Sequence, residues 1–132
     1  MLRTASTIAL ALTLAGCMTF RTTELWHDVN SDGSNKPFMT VQIENSGWYL
    51  FDCIPLVCGN PAKPNGNSSR WFSNTVTLQN NLAVLDGIME EYGADTLSNL
   101  DSRETDDFYY FFILYRRACH TSAVLFRDGD QK

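Results

Sequence analysis

The chain has 132 residues, of which 44% are hydrophobic, 12% aromatic and 19% charged, and its formal net charge is −5. This length accommodates one domain, and the composition excludes an intrinsically disordered chain, which would be poorer in apolar residues and more highly charged. The negative balance argues against a nucleic-acid partner, because binding to a phosphate backbone requires clustered Lys and Arg.

The first 16 residues have the anatomy of an export signal. Arg3 is followed by the apolar run Ile8–Leu14, and Ala15 and Gly16 precede Cys17. A positive start, an apolar middle and a small-residue end are typical of a signal peptide. The apolar run is shorter than the roughly 20 residues that cross a bilayer core, which argues against a permanent transmembrane helix.

The residues around Cys17 carry a specific resemblance, because Leu14-Ala15-Gly16-Cys17 resembles the lipobox of bacterial lipoproteins. The resemblance implies cleavage between Gly16 and Cys17, a diacylglyceryl group on the Cys17 sulfur and an acylated new amino terminus. Two or more acyl chains give stable attachment, since each buried methylene contributes about 0.8 kcal/mol. Met18, where an Asp would favour the inner membrane, implies the periplasmic side of the outer membrane in a host with two membranes. The alternative is an ordinary secretory peptide with a cysteine near its cleavage site.

Residues 17–36 are predicted to be the lipidated cysteine and a polar tether, since the stretch ends in a run of turn formers with little to bury. Asp28, Asn30 and Asp32 in this run fit the opening of a calcium loop, where alternate oxygen ligands converge on the ion. This resemblance to the EF-hand family covers six positions and then fails, because Met39 stands where the family has a bidentate Glu. An Asp/Asn turn without an ion is the competing interpretation.

Two strands are predicted after the tether. Residues 39–44 alternate apolar and polar side chains with period two, and residues 48–54 are rich in β-favouring types. Asn45-Ser46-Gly47 is a turn signal between them, which predicts a hairpin. Pro55 cannot donate a ladder hydrogen bond, so the second strand ends there or lies at an edge. Residues 60–69 are a loop by composition.

One amphipathic helix is predicted between residues 78 and 92. Its apolar residues recur at spacings of three and four, and they are Leu78, Leu82, Leu85, Met89 and Tyr92. Thr75 or Thr77 can cap the start, and Gly93 suits a left-handed stop. Gly87 costs about 1 kcal/mol relative to Ala inside a helix, which predicts a close approach of the helix to a sheet.

The last third of the chain predicts further strands. Residues 94–102 read as a polar strand and residues 103–107 as an acidic turn. Residues 108–115 are unbroken aromatic and β-favouring sequence, which predicts a central strand covered on both faces. Residues 116–126 continue that strand or return as another.

Together these elements predict an α+β fold, a mainly antiparallel sheet of four to five strands with one helix packed on one face. The domain is predicted to span residues 37–127, before a tail at residues 128–132. Tyr92-Gly93-Ala94-Asp95 looks like the helix-to-strand joint of several small envelope lipoproteins, a similarity that implies only the fold. Because one helix covers one face, the other face of residues 108–115 requires the 60–70 loop, a second copy or a partner as cover.

Besides Cys17, the chain has Cys53, Cys58 and Cys119 in what is predicted to be an oxidising compartment. An odd number leaves at least one thiol unpaired in a monomer. An extended segment would hold the Cα atoms of Cys53 and Cys58 about 16 Å apart, beyond disulfide reach. Either Pro55 starts a turn, or Cys119 pairs across strands with one of the two, or the thiols stay free and buried.

Metal and catalytic interpretations have weaker signals. A zinc site from Cys53, Cys58, Cys119 and His120 lacks the paired short spacings of structural zinc modules. A thiol hydrolase would pair a cysteine with His120 or His27, and no nucleophile signature surrounds either histidine. The sequence also contains no phosphate-binding glycine loop, nucleophile elbow or His-Glu-x-x-His motif.

The sequence therefore predicts a lipid-anchored cell-envelope protein without enzymatic activity or a cofactor. Its partners are predicted to be membrane lipid, through acylated Cys17, and a second copy or an envelope protein that binds the domain. A calcium- or zinc-binding lipoprotein, or one that binds a small ligand, is the first alternative, and a small thiol hydrolase is the second.

Overall fold

The computed structural model describes residues 16–25, 35–109 and 113–128. These residues form six strands and one helix, in the order β1 (Met18–Glu24), β2 (Asn35–Leu50), β3 (Ile54–Gly59), β4 (Ser69–Trp71), α1 (Leu78–Tyr92), β5 (Thr96–Tyr109) and β6 (Leu114–Asp128). The strand order is β4-β3-β2-β6-β5, with β1 also paired to β2, and every described pairing is antiparallel. The α+β class with a single helix is confirmed, and the sheet has six strands where four to five were predicted.

Strand β2 is the centre of the sheet. One of its edges pairs with β6 along its whole length, while the other edge pairs first with β1 and then with β3. The predicted hairpin turn at residues 45–47 lies inside this 16-residue strand, so that prediction is wrong. The chain turns into β3 later, at Phe51 and Asp52, whose φ angles are 50° and 60°.

The residues of the mistaken turn are buried and make close contacts. The Asn45 side-chain amide donates to the Thr75 carbonyl at 2.5 Å. A Cβ atom on Gly47 would lie only 2.6 Å from the Cys58 sulfur. Residue types that are common in turns serve here for packing and buried hydrogen bonding.

The structure also differs from the predicted tether at residues 17–36. Residues Met18–Glu24 form β1, which pairs residue by residue with Met39–Asn45 of β2. Met18 is 1% exposed and belongs to the core. The folded sheet therefore begins one residue after Cys17. Residues 26–34, which include the calcium candidates, lie outside the described residues.

Helix α1 packs on one face of the sheet over a core made of Met18, Met39, Val41, Ile43, Val84, Leu85, Ile88, Ala123 and Leu125. The Thr77 side chain caps its start, and Gly93, with φ of 63°, ends it, which confirms two predictions. The buried stripe is rotated from the predicted one, because Asn81, Val84 and Ile88 are buried and Leu78 is exposed. No atom lies within 4 Å of a Cβ placed on Gly87, so the predicted close approach is wrong.

Strands β5 and β6 divide the last third differently from the prediction. Residues 103–107, predicted as a turn, lie inside β5, an edge strand on which polar side chains can face water. Residues 108–115 are not one central strand, because β5 ends at Tyr109 and β6 begins at Leu114. Residues 110–112 lie outside the described residues. The predicted strand at residues 116–126 is confirmed as part of β6.

Six of the nine exposed large apolar side chains among the described residues lie toward one end of the sheet, where β2 and β5 finish and β3 and β6 begin. This apolar end consists of Phe51, Ile54, Trp71, Phe72, Phe108 and Ile113. Trp71 and Phe72 are the most exposed, at 66% and 74%, and their ring centroids lie 6.5 Å apart. Phe108 and Ile113 are the residues of the predicted aromatic run that are exposed at this end.

Candidate functional site

Cys17 lies at the border of the folded domain with its side chain exposed and its thiol free. Its carbonyl accepts hydrogen bonds from the Ser46 backbone N–H at 2.8 Å and from the Ser46 hydroxyl at 3.3 Å. These bonds extend the pairing of β1 with β2 by one residue. The backbone of Cys17 is therefore held in place while its sulfur remains accessible.

Gly16, on the other side of the predicted cleavage bond, lies in a narrow groove against β3 and β4. It is buried, and its carbonyl accepts a 2.7 Å hydrogen bond from the Ser69 hydroxyl. A Cβ atom on Gly16 would lie 2.5 Å from the Cys58 Cα atom, and one on Gly59 would lie 2.7 Å from the Cys17 carbonyl. Only residues without a side chain fit where these two backbone segments cross. We call this the N-terminal groove.

A second site lies on the sheet face opposite α1, where polar side chains form two cross-strand rows. The first row is Arg21, Gln42, Ser122 and Asp101, and the second is Thr19, Glu44, His120 and Arg103. The eight side chains line an open cleft of about 400 Å³. We call this surface the open sheet face.

The two arginines of the open sheet face are available to a partner. Glu44 pairs with Arg116 at 3.4 Å. By contrast, Arg21 and Arg103 make neither an ion pair nor a side-chain hydrogen bond with the described residues. They lie on β1 and β5, at opposite sides of the cleft. Guanidinium groups without such a partner are suited to bind carboxylates or other anionic groups.

The two buried cysteines belong to a separate apolar cluster with Tyr49. The Cys58 thiol donates to the Tyr49 hydroxyl at 3.6 Å, and that hydroxyl donates to Asn74 Oδ1 at 2.6 Å. Burial raises the pKa of Tyr49 well above its ordinary value, and the hydrogen bond with Cys58 adds to this effect. Tyr49 is therefore a neutral packing residue and donor at physiological pH.

All four cysteines are free thiols, so neither disulfide predicted as an alternative from the sequence is formed. Cys58 lies on β3 and Cys119 on β6, with β2 between them, so their Cα atoms are separated by two strand spacings of about 4.8 Å each. That separation exceeds the reach of a disulfide. Cys53 is exposed in the turn after β2, whereas Cys58 and Cys119 are fully buried.

The described residues do not assemble the zinc site predicted from the sequence, and they do not bring Cys119 and His120 together as a thiol hydrolase would require. Cys119 and His120 are neighbours on β6 and so point to opposite faces of the sheet, the thiol into the core and the imidazole into solvent. Neither one ion nor one substrate can contact both. No group of three metal-binding side chains is found in the part of the chain that the structure describes. His27, Asp28, Asn30 and Asp32 lie outside it.

Sequence reasoning found Cys17 and missed the residues of the N-terminal groove and of the open sheet face. No motif marks these residues, because strands that are distant in sequence bring them to their sites; they include Ser69, Gly59, Arg21 and Arg103.

Within residues 16–25, 35–109 and 113–128, no helix has the length and apolarity needed to span a bilayer. Comparisons with protein families, curated proteins and solved structures find no match.

Proposed function

We propose that this chain is a lipid-anchored cell-envelope protein without enzymatic activity, held on the membrane by acyl chains on Cys17. In a host with two membranes it lies on the periplasmic side of the outer membrane. The observation that carries the proposal is the exposed Cys17 thiol, which follows a lipobox-like leader and directly precedes the folded sheet. This position leaves the sulfur free for modification and attaches the lipid to the domain without a linker.

The anchor is tested by Cys17→Ala, with metabolic labelling by a fatty acid and membrane fractionation. We expect the variant to lose the label and to move from the membrane fraction, from which detergent extracts the native protein, to the soluble fraction, because acyl chains supply the attachment. Cys53→Ala is the matched control, since Cys53 is also an exposed thiol, and it should keep both properties. Label that persists in Cys17→Ala, or an unmodified Cys17 in the mass spectrum of the native protein, would contradict the proposal.

The domain is proposed to present the open sheet face to a second copy or to an envelope protein with exposed carboxylates. The support comes from the unpaired Arg21 and Arg103 on either side of the cleft. The sequence-based reason for expecting self-association was an uncovered aromatic face on one strand at residues 108–115, and β5 and β6 divide that run, with β5 ending at Tyr109 and β6 beginning at Leu114.

A photo-crosslinking residue at Gln42, in the middle of the open sheet face, tests this surface in intact membranes. We expect adducts at this position and a several-fold loss of them when Arg21 and Arg103 are both changed to Gln. An adduct of twice the protein's mass identifies a second copy, and another mass identifies a different partner. The same crosslinker at the exposed helix residue Asp86 is the control. Equal yields at the two positions would rule out the open sheet face as the binding surface.

A further inference from the structure

The Gly16 carbonyl is bound by the domain, although Gly16 belongs to the leader that the proposed processing removes. It accepts a 2.7 Å hydrogen bond from the Ser69 hydroxyl inside the N-terminal groove. The carbonyl of the next residue, Cys17, is held by Ser46. Cleavage before Cys17 would remove the acceptor of the Ser69 hydroxyl and empty part of the groove.

Acylation of the Cys17 amino group puts an equivalent group back. The acyl group is joined to the Cys17 nitrogen by an amide, so its carbonyl takes the place of the Gly16 carbonyl and its first methylene takes the place of the Gly16 Cα atom. The acyl donor required is a lipid ester. Its C–O bond breaks, the amide C–N bond forms, and the amine proton passes to the leaving alcohol.

The groove fits an unbranched carbon at the position of the Gly16 Cα atom. A Cβ atom on Gly16 would come within 2.5 to 2.7 Å of the Cys58 Cα, carbonyl carbon and nitrogen atoms. Contacts this short with backbone cannot be relieved by rotating a side chain. The first methylene of a fatty acyl chain carries only hydrogens, as the Cα atom of glycine does, and so it fits where any other residue would clash.

We propose that the N-terminal groove, formed by Cys58, Gly59 and Ser69, binds the N-acyl amide of processed Cys17, with the Ser69 hydroxyl donating to the acyl carbonyl. This inference rests on the proposed function and deepens it, because it assigns a binding site in the domain to the first carbons of one lipid chain. A free amino terminus has no oxygen to accept the bond from Ser69. The groove therefore distinguishes the acylated form from the unacylated form.

The groove also sets where the chain leaves the domain. Ser69 is two residues before Trp71 on β4, which corresponds to about 7 Å along the strand. The acyl chain thus starts beside the part of the apolar end formed by Trp71 and Phe72. An apolar chain and exposed aromatic rings at this separation can enter the same region of a bilayer.

The test compares two forms of the full lipoprotein, purified in the same detergent. One comes from normal cells and the other from cells that lack the amino-terminal acyltransferase, so that both carry the diacylglyceryl group and only the first has an N-acyl chain. We expect the melting temperature of the N-acylated form to be higher by about 4 °C, the shift that one hydrogen bond gives in a domain of this size. Ser69→Ala should abolish the difference, and Ser73→Ala, a nearby partly exposed serine, should preserve it.

The outcomes separate this inference from the proposed function. Mass spectrometry that finds Cys17 unmodified overturns both. A lipidated Cys17 with a free amine in the native protein overturns only the groove assignment. The same holds if the two wild-type forms melt at equal temperatures, or if Ser69→Ala leaves the difference intact. Because the wild-type comparison needs no substitution, it decides the matter even if Ser69→Ala fails to fold.

Discussion

Two glycines within regular elements show how differently single residues are constrained. Gly47 lies in the middle of β2, where a Cβ atom would meet the Cys58 sulfur at 2.6 Å and Val76 Cγ2 at 3.0 Å. Gly87 lies inside α1 with open space around it. The first glycine is required by packing against β3, whereas the second only weakens its helix.

Substitution by alanine should therefore have opposite effects at the two positions. We expect Gly47→Ala to lower the free energy of unfolding by about 1–3 kcal/mol, because the core must shift to admit the methyl group. Gly87→Ala should raise it by up to about 1 kcal/mol through helix propensity. Urea denaturation followed by circular dichroism measures both. A neutral Gly47→Ala would mean that Cys58 and Val76 can move aside at little cost.

At the scale of elements, the sequence predicted what a strong local period specifies. Helix α1 was found because its apolar spacing is regular and its ends carry ordinary signals, Thr77 at the start and Gly93 at the stop. The rotation of the buried stripe of helix α1 was not predictable. Asn81 is buried because its side-chain amide donates hydrogen bonds to the Cys119 carbonyl and the Thr121 hydroxyl. Such long-range partners leave no mark in a local pattern.

The errors in strand boundaries have physical causes as well. Strand β1 was read as a tether because it is short and polar, although Met18, Phe20 and Thr22 alternate inward with period two. Turn formers at residues 45–47 proved to be buried packing residues, and the acidic residues of β5 are tolerated because an edge strand contacts water. Of the candidate site, the sequence could predict Cys17 alone, since only the lipobox is contiguous.

At the scale of the whole molecule, the proposed attachment site at Cys17 and the apolar end lie close together. Gly16 is bonded to Ser69, and the next residues along β4 lead to Trp71 and Phe72. Since the sheet begins at Met18, there is no linker to move the domain away from the bilayer. Exposed Trp side chains are enriched at membrane–water interfaces, where an apolar ring and a polar N–H are both accommodated.

We therefore expect Trp71 to contact lipid when the acylated protein is reconstituted in phosphatidylcholine vesicles. Lipids with brominated acyl chains should quench the tryptophan fluorescence, and Trp71→Phe should remove most of that quenching. Trp48→Phe is the control, because Trp48 is a partly buried residue of β2 and should contribute little. Quenching that is unchanged in Trp71→Phe would show that the apolar end points away from the membrane.

Strand β1 also decides how the protein bears mechanical load. Tension on the proposed acyl chains would be applied at Cys17, the residue before a seven-residue strand paired along its length with β2. A pull along the strand axis stretches all of these pairs at once, so they resist in parallel rather than opening one after another. The force that lifts the proposed lipid out of a membrane would therefore pass through these β1–β2 pairs, and rupture of that strand would also withdraw Met18 from the core.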